Sequence, residues 1–156
     1  MTCVDAGSGR AVFAAGLTPS YSKTMDKIEI ATTGNGSDFG TLANDLGNCK
    51  GCASSTRGLI MGGGTPSYQS GIQAVTISSS GDVFDFGDLN QAKRDNQCVS
   101  NNTRGISAGG YVNPGVNIND MEFVTIASTG NASDFGDLTY AQNYGGGCSD
   151  SHGGLS

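Results

Sequence analysis

Arg57-Gly-Leu-Ile-Met-Gly-Gly-Gly64 decides the reading of this chain, because the segment has two relatives within it. Arg10-Ala-Val-Phe-Ala-Ala-Gly16 begins 47 residues earlier, and Arg104-Gly-Ile-Ser-Ala-Gly-Gly110 begins 47 residues later. Downstream of each Arg comes an apolar pair: Ile28 and Ile30, Val75 and Ile77, Val124 and Ile126. A third landmark follows, Asp38-Phe39-Gly40, Asp85-Phe86-Gly87 and Asp134-Phe135-Gly136, at intervals of 47 and 49. The two extra residues of the third copy fall within Tyr111 to Asp120, where a loop is expected to absorb them. Landmarks in one order, three times over, establish an internal repeat. A repeat governs the fold before any other feature does.

Each copy reads as four short strands. The first surrounds a cysteine (Cys3, Cys52, Cys98), and Cys148 marks the opening of a further copy. The second runs from the Arg into the glycines. The third carries the apolar pair, whose period of two marks one buried face. The fourth starts at the Phe and includes Leu42, Leu89 and Leu138. Turn signals separate the third from the fourth: Thr33-Gly-Asn-Gly-Ser37, Ser80-Gly-Asp82 and Thr129-Gly-Asn131. The copies span about 3–47, 48–95 and 96–145, with the start of a fourth at 146–156, all in a single repeat domain, 1–156.

Composition agrees. Among 156 residues there are 26 Gly, no Trp and only 14% charged side chains. Gly at this density without a G-X-Y period excludes collagen, and the strand-spaced Val, Ile, Leu and Phe argue against disorder. A net charge of −6 leaves no basic footprint for nucleic acid or an anionic membrane. No apolar run reaches spanning length and Met1 to Gly9 carries no charged-then-apolar leader. A soluble chain without membrane insertion or a visible secretory signal is therefore expected.

A four-stranded unit of this size cannot bury both faces alone and must stack on copies of itself. Radial stacking gives a propeller. The expected fold class is all-β, with three tandem four-stranded blades forming part of a β-propeller. Ile60-Met-Gly-Gly-Gly64, then Val75-Thr-Ile77, then Phe86, then Ala92-Lys-Arg94 resembles the kelch repeat. Phe stands where kelch repeats usually carry Trp, and the kelch Tyr of the third strand is absent. Thr129-Gly-Asn-Ala-Ser-Asp-Phe-Gly-Asp-Leu138, a following Cys and a segment such as Ser55-Thr-Arg-Gly58 are similar to repeats in proteins of tailed, especially marine, bacteriophages. That resemblance implies a non-catalytic component of a virion (tail, fibre or decoration), with other virion proteins as partners. The alternative is a lectin-like module that recognises host surface glycans.

Known propellers typically have at least four blades, so three are too few to close a ring. Either the chain forms a homo-oligomer, a dimer giving six blades, or the array stays open against a partner. Cys148-Ser-Asp-Ser-His-Gly-Gly154 repeats the first strand that Thr2-Cys-Val4 already supplies. It either caps a neighbouring subunit's blade or shows the chain to be a piece of a longer array.

Candidate sites follow from the repeat. Cys49-Lys-Gly-Cys52 has metal-ligand spacing, but a zinc site needs a second pair or nearby histidines, and His152 is the sole His. The cysteines read instead as small apolar residues on the innermost strand, with no metal and no cofactor. Arg10, Arg57 and Arg104 would stand at one height in successive blades. They either hold a carboxylate-bearing polysaccharide or fix the stacking, bonding carbonyls or the recurring Asp38, Asp85 and Asp134. The inter-blade role is the expectation. Thr18-Pro-Ser-Tyr21, Thr65-Pro-Ser-Tyr68 and Tyr111-Val-Asn-Pro114 open on one face. Tyr21, Tyr68 and Tyr111 there either stack on sugar rings or lie over the blade edge. The N-x-[ST] matches at Asn35, Asn101 and Asn131 read as turn residues. No catalytic residue is expected, since acid–base work wants a His or paired carboxylates in a pocket.

Overall fold

The alternating apolar residues and the Gly-rich turns between them produce short strands joined as meanders. The computed structural model describes residues 1–6, 9–17 and 19–150. The first copy forms β1 (Thr2–Ala6), β2 (Arg10–Ala14), β3 (Ser22–Glu29) and β4 (Ser37–Leu46). The second forms β5 (Lys50–Ala53), β6 (Arg57–Met61), β9 (Gly71–Thr76) and β10 (Phe84–Asp88). A small hairpin, β7 (Gly64–Thr65) and β8 (Ser67–Tyr68), lies in its β6–β9 connection. The third forms β11 (Gln97–Asn101), β12 (Arg104–Val112), β13 (Val116–Thr125) and β14 (Ser133–Asp137), and β15 (Ser149–Asp150) follows. Each copy is a sheet of four antiparallel strands in chain order. The three sheets are blades of a propeller-like fold that is not closed. No helix occurs among the described residues, so none is long and apolar enough to cross a membrane.

The first strands are neighbours from blade to blade, β1 packing on β5 and β5 on β11. Two cores result, each sandwiched between blades. Val4, Val12, Met25, Phe39 and Leu42 of blade 1 meet Ile60, Val75 and Ile77 of blade 2. Cys52, Leu59, Met61, Phe86 and Leu89 of blade 2 meet Cys98, Val124 and Ile126 of blade 3. One face of each blade thus looks forward to the next copy and the other looks back.

Four expectations need correction. The apolar pair of the third strand is buried in blades 2 and 3, but Ile30 is 53% exposed, because that pair faces backwards and no described residue packs over it in blade 1. The fourth strands begin before the Phe, and Leu89 and Leu138 lie just beyond them. The two extra residues of copy three do not form a loop: β12 and β13 extend into a longer hairpin with a bulge at Ala108/Gly110. The cysteines are not all equivalent, Cys52 being the one out of register. Strand register matches Cys52 with Val4 and Val99, which pair with Leu59, Val12 and Ile106, and matches Cys98 with Cys3 and Gly51. Cys3 is exposed and Cys148 sits outside a strand.

β15 pairs in parallel with β11, Ser100 with Ser149 and Asn101 with Asp150. The start of the fourth copy therefore lies on the free inner edge of its own third blade. Thr18, His152 and the rest of 151–156 fall outside the described residues.

Candidate functional site

The recurring polar chemistry gathers at the seams between blades. At the first seam the turn before β10 reaches the fourth strand of blade 1. Gly81 N–H donates to Phe39 O at 2.7 Å, Val83 N–H to Thr41 O at 3.1 Å, and Thr41 N–H to Asp82 Oδ1 at 2.8 Å. The second seam repeats the pattern. Gly130 N–H donates to Phe86 O at 2.8 Å, Ala132 N–H to Asp88 O at 2.8 Å, and Asp88 N–H to Asn131 Oδ1 at 3.0 Å. Gly40 and Gly87 make the approach possible, since an added Cβ would stand 2.3 Å from Gly81 O and 2.4 Å from Gly130 O. Their φ of +148° also lies where only glycine sits without strain. The hydrogen bonds from Thr41 hold the Asp82 carboxyl below the usual aspartate range.

The arginines belong to the same seams. Arg10 Nη1 donates to Ile77 O and Ser78 O, each at 3.1 Å, while its Nε pairs with Glu29 of its own blade at 2.7 Å. Arg57 Nη1 donates to Ile126 O at 2.6 Å. Arg104 lies over the ring of Phe123 in its own blade, at 4.6 Å from the centroid. Asp38, Asp85 and Asp134 are exposed, and no ion pair joins them to an Arg among the described residues. Topology explains the difference. Arg stands on the second strand and Asp on the fourth, two strand spacings apart, roughly 9–10 Å. The carbonyls that Arg10 and Arg57 reach lie just past the third strand of the following blade.

A buried ion pair escaped the sequence reading. Lys93, just beyond β10, pairs with Glu122 on β13 across the second seam; their side chains are 0% and 1% exposed. Glu122 also accepts from Asn90 N–H at 2.6 Å, and Asp120 Oδ2 stands 3.5 Å from Lys93 Nζ. The same two positions at the first seam hold Leu46 and Gln73, and Gln73 Oε1 accepts from Ala43 N–H at 2.8 Å. Leu to Lys and Gln to Glu are thus coupled changes at equivalent places. That coupling was the signal available in the sequence.

Of the three tyrosines, two come together. The Arg94 guanidinium lies 4.9 Å from the Tyr68 ring centroid and 5.4 Å from that of Tyr111. The rings are 6.2 Å apart and tilted by 52°. Arg94 and Tyr111 also exchange backbone hydrogen bonds at 3.1 and 2.8 Å. Such stacking contributes about 0.5–1 kcal/mol at a half-exposed site. Tyr21 is not in this stack; its ring packs against Gly47. Next to Arg94, burial pushes the Asp95 carboxyl up, against the pull of the guanidinium.

The C-x2-C pair is divided between two cores, Cys49 in the first and Cys52 in the second. Cys49 lies just before β5 and Cys52 within it. Burial pushes the Cys49 thiol up to about 11 and the Cys52 thiol up to about 12, and raises Cys98 well above its ordinary value. These thiols stay protonated and unreactive near neutrality. A disulfide reagent at pH 8 is expected to label Cys3 and Cys148 rapidly in the native chain, and the other three only after denaturation. Equal rates for all five would show that the cores open.

The N-x-[ST] asparagines serve turns and seams: Asn101 Oδ1 accepts from Thr103 N–H and Arg104 N–H, and Asn131 belongs to the second seam. Compared with known proteins, the chain matches no family model and no curated protein.

Proposed function

We propose that this chain is a non-catalytic structural component that works by presenting and joining blades, and that its setting is the virion of a tailed bacteriophage. The observation that carries the structural part is the use made of the repeated polar residues. Arg10 and Arg57 bond carbonyls of the following blade, and Asp82 and Asn131 bond the preceding one. Side chains engaged in this way position backbone; they are not poised at a cleft for proton transfer. The virion part rests on the likeness of Thr129–Leu138 and Ser55–Gly58 to phage repeats. Immunogold labelling with an antibody to the chain tests it. Label on the tail, fibres or capsid of particles is expected, and label confined to cell material would overturn it.

A lectin reading has one observation in its favour, the Tyr68–Arg94–Tyr111 stack at the rim formed by the connections between second and third strands. Aromatic faces and a guanidinium suit an acidic sugar. Retention on an acidic glycan by the isolated chain, lost in Tyr68→Ala and Tyr111→Ala, would establish that reading over the first.

A further inference from the structure

We infer that the forward face of the third blade is the seat for the first blade of a second copy of this chain, so that two chains close head to tail into one ring. The inference deepens the structural reading above by naming the partner, and it does not depend on the virion.

The two internal seams act as a template. Met121, Phe123, Phe135 and Leu138 hold the positions that Ile72, Ala74, Phe86 and Leu89 hold in blade 2. Phe39 and Phe86 are each 2% exposed, whereas Phe135 is 44% exposed. Identical letters at identical positions differ only in having a next blade. Gly136 keeps the left-handed φ of Gly40 and Gly87, at +127°, yet an added Cβ there would meet nothing within 4 Å among the described residues. The space that Gly81 and Gly130 fill at the internal seams is open at the third.

Blade 1 carries the complementary half. Its backward face presents Ile30, 53% exposed, where Ile77 and Ile126 are buried. Its Gly34-Asn35-Gly36 turn has the two N–H donors and the side-chain acceptor of Gly81-Asp82-Val83 and Gly130-Asn131-Ala132. Carried to the third seam, the pattern joins Gly34 N–H of one chain to Phe135 O of the other, and Gly36 N–H to Asp137 O. It also joins Asp137 N–H to Asn35 Oδ1. Arg104, lying on Phe123 in the single chain, reaches the carbonyl of Ile30 as Arg57 reaches that of Ile126. Gln142 and Asp26 take the places of Lys93 and Glu122 and can hydrogen-bond. Blade 1 departs at Ala11, where Gly58 receives Val4 and Gly105 receives Cys52, so Val99 must accommodate one extra methyl.

Closure selects the number of chains. The seam is heterologous, so it builds a ring where the rotation closes and an open filament where it does not. Two chains give six blades, inside the range of about four to eight that propellers adopt; three would give nine.

The test is the mass of the intact chain by light scattering on a size-exclusion column. A particle of two 15.8 kDa chains is expected. Phe135→Asp and Ile30→Asp, both at exposed positions, are each expected to give monomers with the native circular dichroism. Mixed together, they should recover a two-chain species through the one seam that remains intact. An Asn35→Cys/Asp137→Cys chain should form a covalent dimer on oxidation, against a wild-type control for Cys3 and Cys148. That result reads the register even if an Asp variant misfolds. A wild-type monomer up to high concentration, a three-chain particle, or a dimer broken by Phe135→Asp but untouched by Ile30→Asp would overturn the inference. None of those outcomes bears on labelling of particles, so the two readings fail separately.

Discussion

Replacing Lys93 by Met is expected to cost about 3–5 kcal/mol of folding stability, the range for removing one partner of a buried pair. Lys93 and Glu122 are both sealed within the second seam, so the substitution leaves a carboxylate without its counter-charge in a site that water does not reach. Asn90 N–H still donates to Glu122, but one hydrogen bond does not replace the solvation of a buried anion. The first seam shows what the site tolerates without charge, since Leu46 and Gln73 occupy the same positions. The double change Lys93→Leu/Glu122→Gln copies that solution, keeps an acceptor for Asn90 N–H, and should return stability to within about 1 kcal/mol of the native chain. Denaturant unfolding of the three proteins measures both numbers. A loss below about 1 kcal/mol in Lys93→Met would mean that the pair is hydrated and contributes little.

Phe86→Ala should be comparably damaging, at about 3–5 kcal/mol, because it removes a fully enclosed ring from the second core and leaves a cavity between two sheets. Phe39→Ala should match it at the first seam. Phe135→Ala is the informative control. In a single chain the ring is 44% exposed and touches Phe123 edge-on at 6.0 Å, so truncation should cost under about 1 kcal/mol. Unfolding at high dilution compares the three on equal terms. Near-equal losses at all three positions would show that the third blade is covered within the chain itself, and the open face would then not exist.

The three phenylalanines also mark where a sequence stops being informative. Strand positions were legible because a period of two and Gly-rich turns are local properties. Cys52 was harder. Matching by letter set it against Cys3 and Cys98, yet pairing with Leu59 sets it against Val4 and Val99. The letters repeat with loops of unequal length, while register is set by the hydrogen-bonded partner strand. Similarly, the spacing of Arg10, Arg57 and Arg104 did not reveal their partners, which are carbonyls of the next blade for the first two and the Phe123 ring for the third. A carbonyl acceptor has no signature in the sequence, whereas Asp38, Asp85 and Asp134 have a conspicuous one and prove to be exposed. Tyr111 joined Tyr68 from a different place in the repeat, because the longer β12–β13 hairpin carries it to the rim.

By itself, then, the sequence determined that there are three copies, that each is four strands, and which residues recur. Only the tertiary structure decided which face of each blade is buried, that Lys93 and Glu122 meet, and that Phe135 is left exposed. The reason is physical. Strand formation depends on a residue and its near neighbours in the chain, but burial is conferred by what packs against it. At Phe135, that is whatever comes next.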